Sequence, residues 1–409
     1  MSPKPSASRL KLSTFKLNSL LSITNAINEN LTVENLLQRY ERILRDDLNI
    51  GKILIYKNED GLKCMLQSGI PDNNHLPLDV EHDLLHYNEI TFVTSSQNEV
   101  LAGFDIVIPV HKNNVPLAYV LIGDIDEEGE GVSPTIKHLN FVQTLSNIIM
   151  VAIENIRLFN ESLRQEAMRK ELELASKMQN MLIPDKEKLP KNNLIHITAF
   201  YQPHLEVGGD YYDCIVLDKN EVGFCIADVS GKGISAALLM SNFQANLRAL
   251  FSHEITMTAL LEKLNTRVME AAGGEKFITL FIAKYNYKSR ELTYVNAGHN
   301  PPILYGVKSE KLQYLKTGCV GMGMLDEIPN IKQGIISMKE RSKLLCYTDG
   351  LVELIDGSGV EFGTHTIEEN ISNQLAIEDN IKYIIEKQNI IEGSTAIFDD
   401  ISIIAAEFF

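Results

Sequence analysis

The chain is poor in the residues on which several classes of protein depend. It contains five cysteines in 409 residues, and they stand far apart without forming a CxxC pair. Such a pattern excludes a zinc ribbon and a disulfide framework, and it favours reduced, mostly buried thiols in the cytoplasm. No cysteine is followed six positions later by an arginine. A phosphate chemistry that uses a cysteine nucleophile is therefore excluded as well.

Long apolar runs and surplus positive charge are also missing. The longest uncharged apolar stretch near the middle of the chain, Phe141–Ile153, is shorter than the roughly 20 residues that a membrane span requires. The formal net charge is −16, from 38 basic and 54 acidic residues. An acidic surface of this kind repels nucleic acid and anionic lipid. We therefore expect neither a nucleic acid nor a membrane as the main partner of this protein, which we expect to be cytoplasmic.

The N-terminal part of the sequence indicates a tail followed by a small domain. Residues 1–18 carry four basic residues and no acidic one, and we predict that they form a disordered tail. Residues 19–158 give the order helix, helix, several strands, closing helix, with two strands predicted around the Asp60-Gly61 turn. This order resembles a GAF domain, a sensory α/β/α module with a central sheet between helices. The resemblance implies an input at this domain, either an unknown small molecule or a protein.

The residues that follow predict one long helix. Apolar side chains return every seven, four or three positions and share one stripe, at Ile156, Leu163, Ala167, Leu174, Met178 and Met181. We predict that residues 159–184 form a stiff, coiled-coil-like connector helix that pairs with a second copy in a parallel homodimer. A solvated helix that packs on its own domain is the alternative.

The C-terminal part, residues 185–409, is rich in predicted strands. The segments 276–285, 342–350 and 401–409 are apolar on both faces, which is typical of central strands between two layers. Helical segments lie between blocks of strands and do not alternate with single strands. We therefore predict an α+β sandwich and not a doubly wound parallel sheet.

Four aspartates stand at the ends of apolar strands or in the tight turns beside them. They are Asp210 in EVGGDYYD, Asp228 in GFCIADVSGKG, Asp349 in LLCYTDG and Asp399 in AIFDDISII. A carboxylate at the mouth of a buried strand is costly unless a partner neutralises it. Four such positions indicate metal ligands, and an all-oxygen set without nearby histidine or thiolate suits Mg²⁺ or Mn²⁺.

Six strings in the C-terminal part resemble one family of enzymes. VGGDYYD, ADVSGKGISAALLM, FITLFIA, NAGHNPP, YTDGLVE and FDDISII occur in this chain in the order found in metal-dependent PPM protein phosphatases of the bacterial sporulation-E and sigma-factor-regulator type. The resemblance implies an α/β/β/α sandwich and two Mn²⁺ or Mg²⁺ ions. It also implies hydrolysis of phosphoserine or phosphothreonine on a protein by a water that the two ions activate. The implied substrate is a phosphorylated STAS-type antagonist of an anti-sigma factor.

The same resemblance implies which residues hold the ions. The metal ligands of the family fall on Asp210, Asp228, Asp349 and Asp399, and the backbone carbonyl of Val229 joins them. These aspartates would take part in catalysis through the bound ions and water.

Four further residues have roles that the sequence leaves open. Gly350 lets the backbone approach an ion closely, and Asp400 either supports the ligands or faces solvent. His299 is either a general acid toward the leaving group or a loop residue that holds the turn before two prolines. Lys232 is a candidate helper in phosphate binding, because the arginine that eukaryotic relatives use has no counterpart here.

Two other functions compete with a metal-dependent protein phosphatase. A non-catalytic signalling scaffold would keep the fold while the GAF-like module binds a ligand, but such a protein should have lost at least one of the four aspartates. A phosphatase for a small molecule would need a deep pocket, for which the sequence gives no indication. We therefore expect the protein phosphatase.

Overall fold

The computed structural model describes residues 5–58, 62–70, 83–93, 101–112, 115–125, 134–355, 359–390 and 397–409. The chain divides into two compact units, Met1–Glu166 and Ala167–Phe409. Within the described ranges, no helix combines the length and the apolar character needed to cross a membrane.

A five-stranded sheet is the centre of the first unit. The elements are α1 (Pro5–Asn28), α2 (Val33–Arg42), β1 (Ile50–Asn58), β2 (Leu62–Ser68), β3 (Thr91–Phe92), β4 (Ile106–Lys112), β5 (Val115–Ile125) and the first part of α3 (Pro134–Asn180). The strands pair antiparallel in the order β2-β1-β5-β4-β3. The two strands predicted around Asp60-Gly61 are β1 and β2, whereas the turn itself lies outside the described residues.

Alternation along β1 gives this sheet two apolar faces. Ile53, Leu54 and Ile55 are all fully buried. Because successive side chains of a strand point to opposite faces, Ile53 and Ile55 join the core formed with α1, α2 and α3. Leu54 instead joins Tyr119 and Leu121 in a second core on the other face.

The prediction of a disordered tail is wrong for residues 5–18. These residues belong to α1, and after its first residue no proline or glycine interrupts this helix. Its later turns bury Ile23 and Ala26 completely, and the ring of Phe15 lies 6.1 Å from that of Phe141 on α3. Packing on the first unit therefore orders a segment whose local composition resembles that of a tail.

One helix, α3, continues from the first unit into the second. Most of the predicted connector, residues 159–184, lies in this helix, which ends at Asn180. Across residues 161–180 every side chain is at least partly exposed except that of Gln179. The pairing of this helix with a second copy stays a prediction.

The second unit contains two sheets and flanking helices. Its strands are β6 (Ile195–Gln202), β7 (Tyr211–Val216), β8 (Glu221–Val229), β9 (Ile278–Asn286), β10 (Glu291–Ala297), β11 (Ile303–Gly306), β12 (Lys311–Tyr314), β13 (Gly318–Cys319), β14 (Gly334–Ser337), β15 (Ser342–Tyr347) and β16 (Ile401–Phe408). Its helices after α3 are α4 (Ile234–Leu250), α5 (Met257–Ala272), α6 (Asp349–Val352), α7 (His365–Ile371) and α8 (Ile377–Lys387).

The two sheets pack against each other between layers of helix. The first has the order β13-β10-β9-β8-β7, with β14 beside β10, and the second has the order β12-β11-β15-β16-β6. Helices α4 and α5 share a core with the first sheet and with one face of the second. Helices α7 and α8 cover the other face of the second sheet. The layers therefore follow as helices, sheet, sheet, helices, in agreement with the predicted sandwich.

Candidate metal centre

Antiparallel pairing brings the four predicted ligands to the ends of two strand pairs. Asp210 immediately precedes β7, and Asp228 stands near the end of β8, which pairs with β7. Asp349 begins α6 just after β15, and Asp399 comes two residues before β16, which pairs with β15. Because the start of one antiparallel strand lies beside the end of its partner, each sheet contributes one pair of carboxylates.

Asp210 is buried and held by a hydroxyl group. Its side-chain Oδ2 accepts a hydrogen bond of 2.8 Å from Thr348 Oγ1. Thr348 Oγ1 in turn accepts a hydrogen bond of 2.9 Å from the backbone N–H of Ser402 in β16. This relay ties a ligand of the first sheet to the strands that carry the ligands of the second.

The predicted ligands are close enough to change one another's pKa. Burial raises the pKa of Asp228 to about 7. Repulsion from the carboxylates of Asp349, Asp399 and Asp400 adds to this rise. Burial, followed by repulsion from Asp228, raises the pKa of Asp210 well above its ordinary value. These shifts have the sign expected of acids that share a site partly shielded from solvent.

The four predicted ligands therefore share one electrostatic environment. We call Asp210, Asp228, Asp349 and Asp399 the acid cluster. Burial, followed by repulsion from Asp399, raises the pKa of Asp349 as well. Lys232 neutralises part of the charge, since its Nζ lies 2.9 Å from Asp399 Oδ2 and also donates to the carbonyl of Phe398.

Two glycines let the backbone pass close to the acid cluster. A Cβ atom on Gly209 would lie 3.0 Å from the carbonyl oxygen of Val229, the atom predicted to bind a metal. A Cβ atom on Gly350 would lie 2.1 Å from the carbonyl oxygen of Asp400, which is too close for any side chain. Packing against the chain beside Asp399 therefore explains Gly350 without a direct approach to an ion.

Asp400 supports the loop that leads to Asp210. Its Oδ1 accepts the backbone N–H of His204 at 2.8 Å, and its Oδ2 accepts that of Gly209 at 2.7 Å. Only 8% of the residue is exposed. Of the two roles left open by the sequence, these contacts favour support of the ligands.

His299 has the surroundings of a neutral histidine. Its Nδ1 lies 2.9 Å from Thr279 Oγ1, and its backbone N–H donates to Asn296 Oδ1 at 2.8 Å. Burial lowers the pKa of His299 to about 4. Because a general acid works best with a pKa near the operating pH, these observations favour the role of holding the turn.

The acid cluster fits a hard divalent cation. Across the described ranges, no group of three or more histidine, cysteine, aspartate or glutamate side chains is arranged to hold a metal by itself. Mg²⁺ usually keeps several waters and takes one or two carboxylates, which each strand pair can supply. Carboxylates that repel one another at a partly buried site are also stabilised by a cation between them. The oxygens of the cluster, together with the carbonyl of Val229, would hold such ions.

Thr348 is a site residue that the sequence prediction missed. Its side chain is fully buried and connects Asp210 to β16, although the TDG string draws attention only to its aspartate. A threonine directly before a predicted ligand, at the end of a buried strand, was the available signal. Asp213 has no comparable role, because it accepts two hydrogen bonds from Arg248, at 2.7 and 2.9 Å, that anchor α4 to β7.

Comparison with a protein family decides the type of this domain. Residues 218–409 match the family model of Stage II sporulation protein E (SpoIIE). The greater part of the second unit is therefore similar to SpoIIE-type PPM phosphatases. The match includes Asp228, Asp349 and Asp399, whereas Asp210 precedes it. The family that the six strings resemble is thereby confirmed.

Similar proteins include two curated relatives. Phosphoserine phosphatase RsbU of Bacillus subtilis is 31% identical over 189 residues, which are 46% of this chain and 55% of that protein. Protein IcfG of Synechocystis sp. is 24% identical over 370 residues, which are 80% of this chain and 56% of that protein. The chain thus spans about half the length of the curated relatives it matches.

A solved structure supports the fold of the second unit. The SiaA-PP2C domain of Pseudomonas aeruginosa superposes with a TM-score of 0.51 at 19% identity. The superposition covers 60% of this chain and 99% of that domain. At this identity the likeness concerns the fold alone.

Proposed function

We propose that this protein is a metal-dependent protein phosphatase that hydrolyses phosphoserine or phosphothreonine on a regulatory protein. The acid cluster carries the proposal. Its carboxylates repel one another at the ends of paired strands, and they belong to a unit of which the greater part is similar to SpoIIE-type phosphatases. A site of this kind serves to hold cations, since it has no stabilising role of its own.

Metal ions and the residues of the chain have separate tasks in this proposal. When bound, two Mn²⁺ or Mg²⁺ ions would lower the pKa of the attacking water and neutralise charge on the phosphoryl group. The chain holds the ligand oxygens in place, through Thr348 at Asp210 and through Asp400 at the preceding loop. Lys232 is half-exposed at the edge of the cluster, where its ammonium group would contact a phosphoryl oxygen of the substrate.

The substrate we propose is a phosphorylated STAS-type antagonist of an anti-sigma factor. Support for the phosphoserine group comes from RsbU, which is by name a phosphoserine phosphatase and is 31% identical to the matched part of this chain. Support for the pathway is the resemblance of the six strings to sigma-factor regulators. Dephosphorylation of such an antagonist would release a sigma factor.

The first unit would regulate this activity in the cytoplasm. Its sheet carries α1, α2 and α3 on one face, which is one part of the layout of a GAF-like α/β/α module, and such a module would receive a small molecule or a protein. Helix α3 would carry the signal and would pair with that of a second copy in a homodimer.

The test of the proposed function uses the purified full chain with p-nitrophenyl phosphate and with a phosphoserine-bearing protein. We expect hydrolysis that requires added Mn²⁺ or Mg²⁺ and stops with EDTA. Loss of groups that merely orient metal ligands costs about 10–100-fold, so Asp228→Asn and Asp349→Asn should lower the rate by at least this much. Asp379→Asn, on the exposed surface of α8, is the matched control and should keep the wild-type rate.

Two results would reject the proposed function. One is activity that survives chelation, and the other is full activity in both asparagine variants. If the wild-type chain neither binds Mn²⁺ nor hydrolyses either substrate, the alternative of a non-catalytic GAF-containing scaffold takes its place.

A further inference from the structure

A loop of four residues, Ser230–Gly233, connects the acid cluster to the exposed surface beside it. The loop follows β8 and ends where α4 begins. Ser230 is tied to the start of β9, because its N–H donates to the carbonyl of Phe277 at 2.9 Å and its Oγ accepts the N–H of Phe277 at 2.9 Å. Lys276 Nζ donates to the carbonyl of Ser230 at 2.8 Å. These bonds fix the loop, and with it Lys232, beside the acid cluster.

Exposed apolar side chains stand on both sides of Lys232. Ile234 begins α4, and Leu238 follows it by one turn. Both are exposed, and residues four apart share one face of a helix, so they form an apolar strip that starts two residues after Lys232. Phe398, whose carbonyl accepts a hydrogen bond from Lys232, is exposed as well.

A second group of exposed apolar side chains begins at the start of β9. Phe277, which is bonded to Ser230, is exposed. The next residue, Ile278, exchanges two backbone hydrogen bonds of 2.8 Å with Met322, which places the loop of residues 320–325 beside β9. Exposed apolar residues of this loop include Met324 and Leu325.

The side chain of Asn265 on α5 holds this second loop in place. Its Nδ2 donates to the carbonyls of Leu325 and Asp326 at 2.9 and 3.0 Å, and its Oδ1 accepts the N–H of Gly323 at 2.8 Å. Asn265 is buried, and a buried polar group whose hydrogen bonds are satisfied makes its surroundings rigid. The exposed side chains of the loop are therefore presented by a fixed backbone.

The two groups together form an exposed apolar surface at the edge of the metal centre. We call this surface the apolar rim, and its members are Ile234, Leu238, Phe277, Met324, Leu325 and Phe398. An exposed apolar patch bordered by polar groups is typical of a site that binds another protein. The ammonium group of Lys232, which connects the rim to the acid cluster, suits a phosphate group, whereas the rim itself suits uncharged apolar side chains.

We propose that the apolar rim is the docking surface for the phosphorylated regulatory protein, and that it selects a phosphoserine with apolar side chains next to it. This inference rests on the proposed function. A phosphoryl group at the acid cluster places its serine beside Lys232, because that ammonium group pairs with Asp399. The residues next to the serine then meet the rim, where burial of one leucine side chain changes an affinity by about tenfold or more.

The experiment compares two phosphoserine peptides as substrates of the full chain at saturating Mn²⁺. One peptide has leucine at the two positions on each side of the phosphoserine, and the other has glutamine at these positions. Phosphate release gives kcat/KM for each peptide. We expect the wild-type chain to prefer the leucine-flanked peptide by about tenfold or more. The ratio of the two values isolates docking, since both peptides carry the same phosphoryl group to the same ions.

Three variants test whether the rim causes this preference. Leu238→Ser and Met324→Ser each remove one apolar side chain of the rim, and the preference should fall to about threefold or less. Val216→Ser is the matched control and should keep the wild-type ratio. Val216 is 67% exposed, as is Leu238, and it stands at the opposite end of β7 from Asp210. A variant that merely impairs folding or metal binding lowers both kcat/KM values and leaves their ratio unchanged.

Equal kcat/KM values for the two peptides in the wild-type chain, or an unchanged preference in both rim variants, would overturn this inference. A wild-type dimer that both rim variants dissociate in analytical ultracentrifugation would overturn it as well, because a second copy would then cover the rim. The phosphatase assignment stands in each of these cases if the wild-type chain hydrolyses p-nitrophenyl phosphate with Mn²⁺. Absence of hydrolysis of this compound and of both peptides would reject the assignment itself.

Discussion

The carboxylates of the acid cluster repel one another, and this repulsion has a measurable effect on stability. Asp228 stands at the end of β8, near three other acids that raise its pKa in addition to burial. A cation that binds the native chain but not the unfolded chain stabilises the native state by mass action. The same residues should therefore oppose folding in the presence of a chelator and favour it in the presence of Mn²⁺.

Replacement of Asp228 by asparagine separates these two effects. In EDTA, Asp228→Asn removes one repelling charge and should raise the melting temperature, by about 2–4 °C for each kcal/mol relieved. The further rise that Mn²⁺ produces in the wild-type chain should be largely lost. Thermal unfolding followed by circular dichroism measures both quantities, with Asp379→Asn as the control. A variant that melts lower in EDTA yet gains as much from Mn²⁺ as wild type would contradict this prediction.

The hydroxyl of Thr348 provides a second prediction for a single residue. Thr348→Val keeps the shape of the side chain but removes the donor to Asp210 and the acceptor for the N–H of Ser402. Since these partners are buried, we expect a loss of about 1–3 kcal/mol in the free energy of unfolding, together with weaker Mn²⁺ binding. Thr348→Ser retains the hydroxyl group, so its free energy of unfolding should decrease much less. Urea unfolding in EDTA compares the two variants, and equal losses would show that the methyl group, not the hydroxyl, matters.

At the scale of secondary-structure elements, a largely buried ion pair joins β1 to α3 in the first unit. Lys57 Nζ lies 2.7 Å from Glu154 Oε2, with side chains 3% and 10% exposed. Arg157, one turn further along α3, donates to the same carboxylate at 2.8 and 3.1 Å. The hydrogen bonds from Arg157, aided by Lys57, lower the pKa of Glu154 to about 2.

This shift predicts how the stability of the first unit depends on pH. Ionised Glu154 makes its full contribution to the free energy of unfolding above its ordinary pKa of 4.5. This contribution is lost as the pH falls toward about 2, because the carboxylate takes up a proton more readily in the unfolded chain than in the native chain. Glu154→Gln should lower the free energy of unfolding by about 3–5 kcal/mol at neutral pH. The free energy of unfolding of this variant should also decrease less than that of wild type as the pH falls from 4.5 toward 2.

Urea unfolding followed by far-ultraviolet circular dichroism at several pH values measures this dependence. Circular dichroism suits the chain, which contains no tryptophan. Glu171→Gln, at an exposed position of α3, is the control. If the free energy of unfolding of Glu154→Gln decreases with falling pH as much as that of wild type, the ion pair contributes little to stability.

On the scale of the whole molecule, the second unit begins inside α3 and includes Gln179. The buried side-chain amide of Gln179 donates to the carbonyl oxygen of Gly208 at 2.6 Å and accepts the N–H of Gly208 at 3.0 Å. Gly208 stands two residues before Asp210, so this contact supports the loop that carries a predicted ligand.

Two fragments of the chain differ in whether they keep this contact. Ile183 and Leu189, which follow the helix, belong to the core of this unit. A fragment of residues 167–409 keeps these contacts and Gln179, whereas a fragment of residues 182–409 keeps the core residues and lacks Gln179.

The two fragments should differ in metal affinity more than in folding. We expect residues 182–409 to bind Mn²⁺ at least about tenfold more weakly than residues 167–409, with correspondingly lower hydrolysis at limiting Mn²⁺. Truncation near Lys191 should lower activity further, because it also removes Ile183 and Leu189 from the core. Calorimetry and circular dichroism on the same preparations measure affinity and folding separately. Equal affinities of the two longer fragments would count against coupling through α3.

Local patterns were sufficient for much of the fold and for the prediction that four aspartates lie at neighbouring strand ends. The apolar runs of β9, β15 and β16 predicted central strands because the alternation of side chains is a property of the strand itself. The tail was mispredicted because α1 is ordered by packing of Phe15, Ile23 and Ala26, which lies outside any local window. The metal-binding role of the four aspartates stays a prediction until ions are measured.

By itself the sequence determined the sandwich, the family of its C-terminal domain and the acids placed at its strand ends, because each of these follows from short strings and from periodicity within single elements. Only the tertiary structure decided which supports hold those acids in place. The hydroxyl of Thr348 reaches Asp210 across 138 positions of the chain, and the amide of Gln179 meets Gly208 across 29 positions. Contacts of this kind depend on how two sheets and a helix end pack together, and no spacing along the chain encodes them.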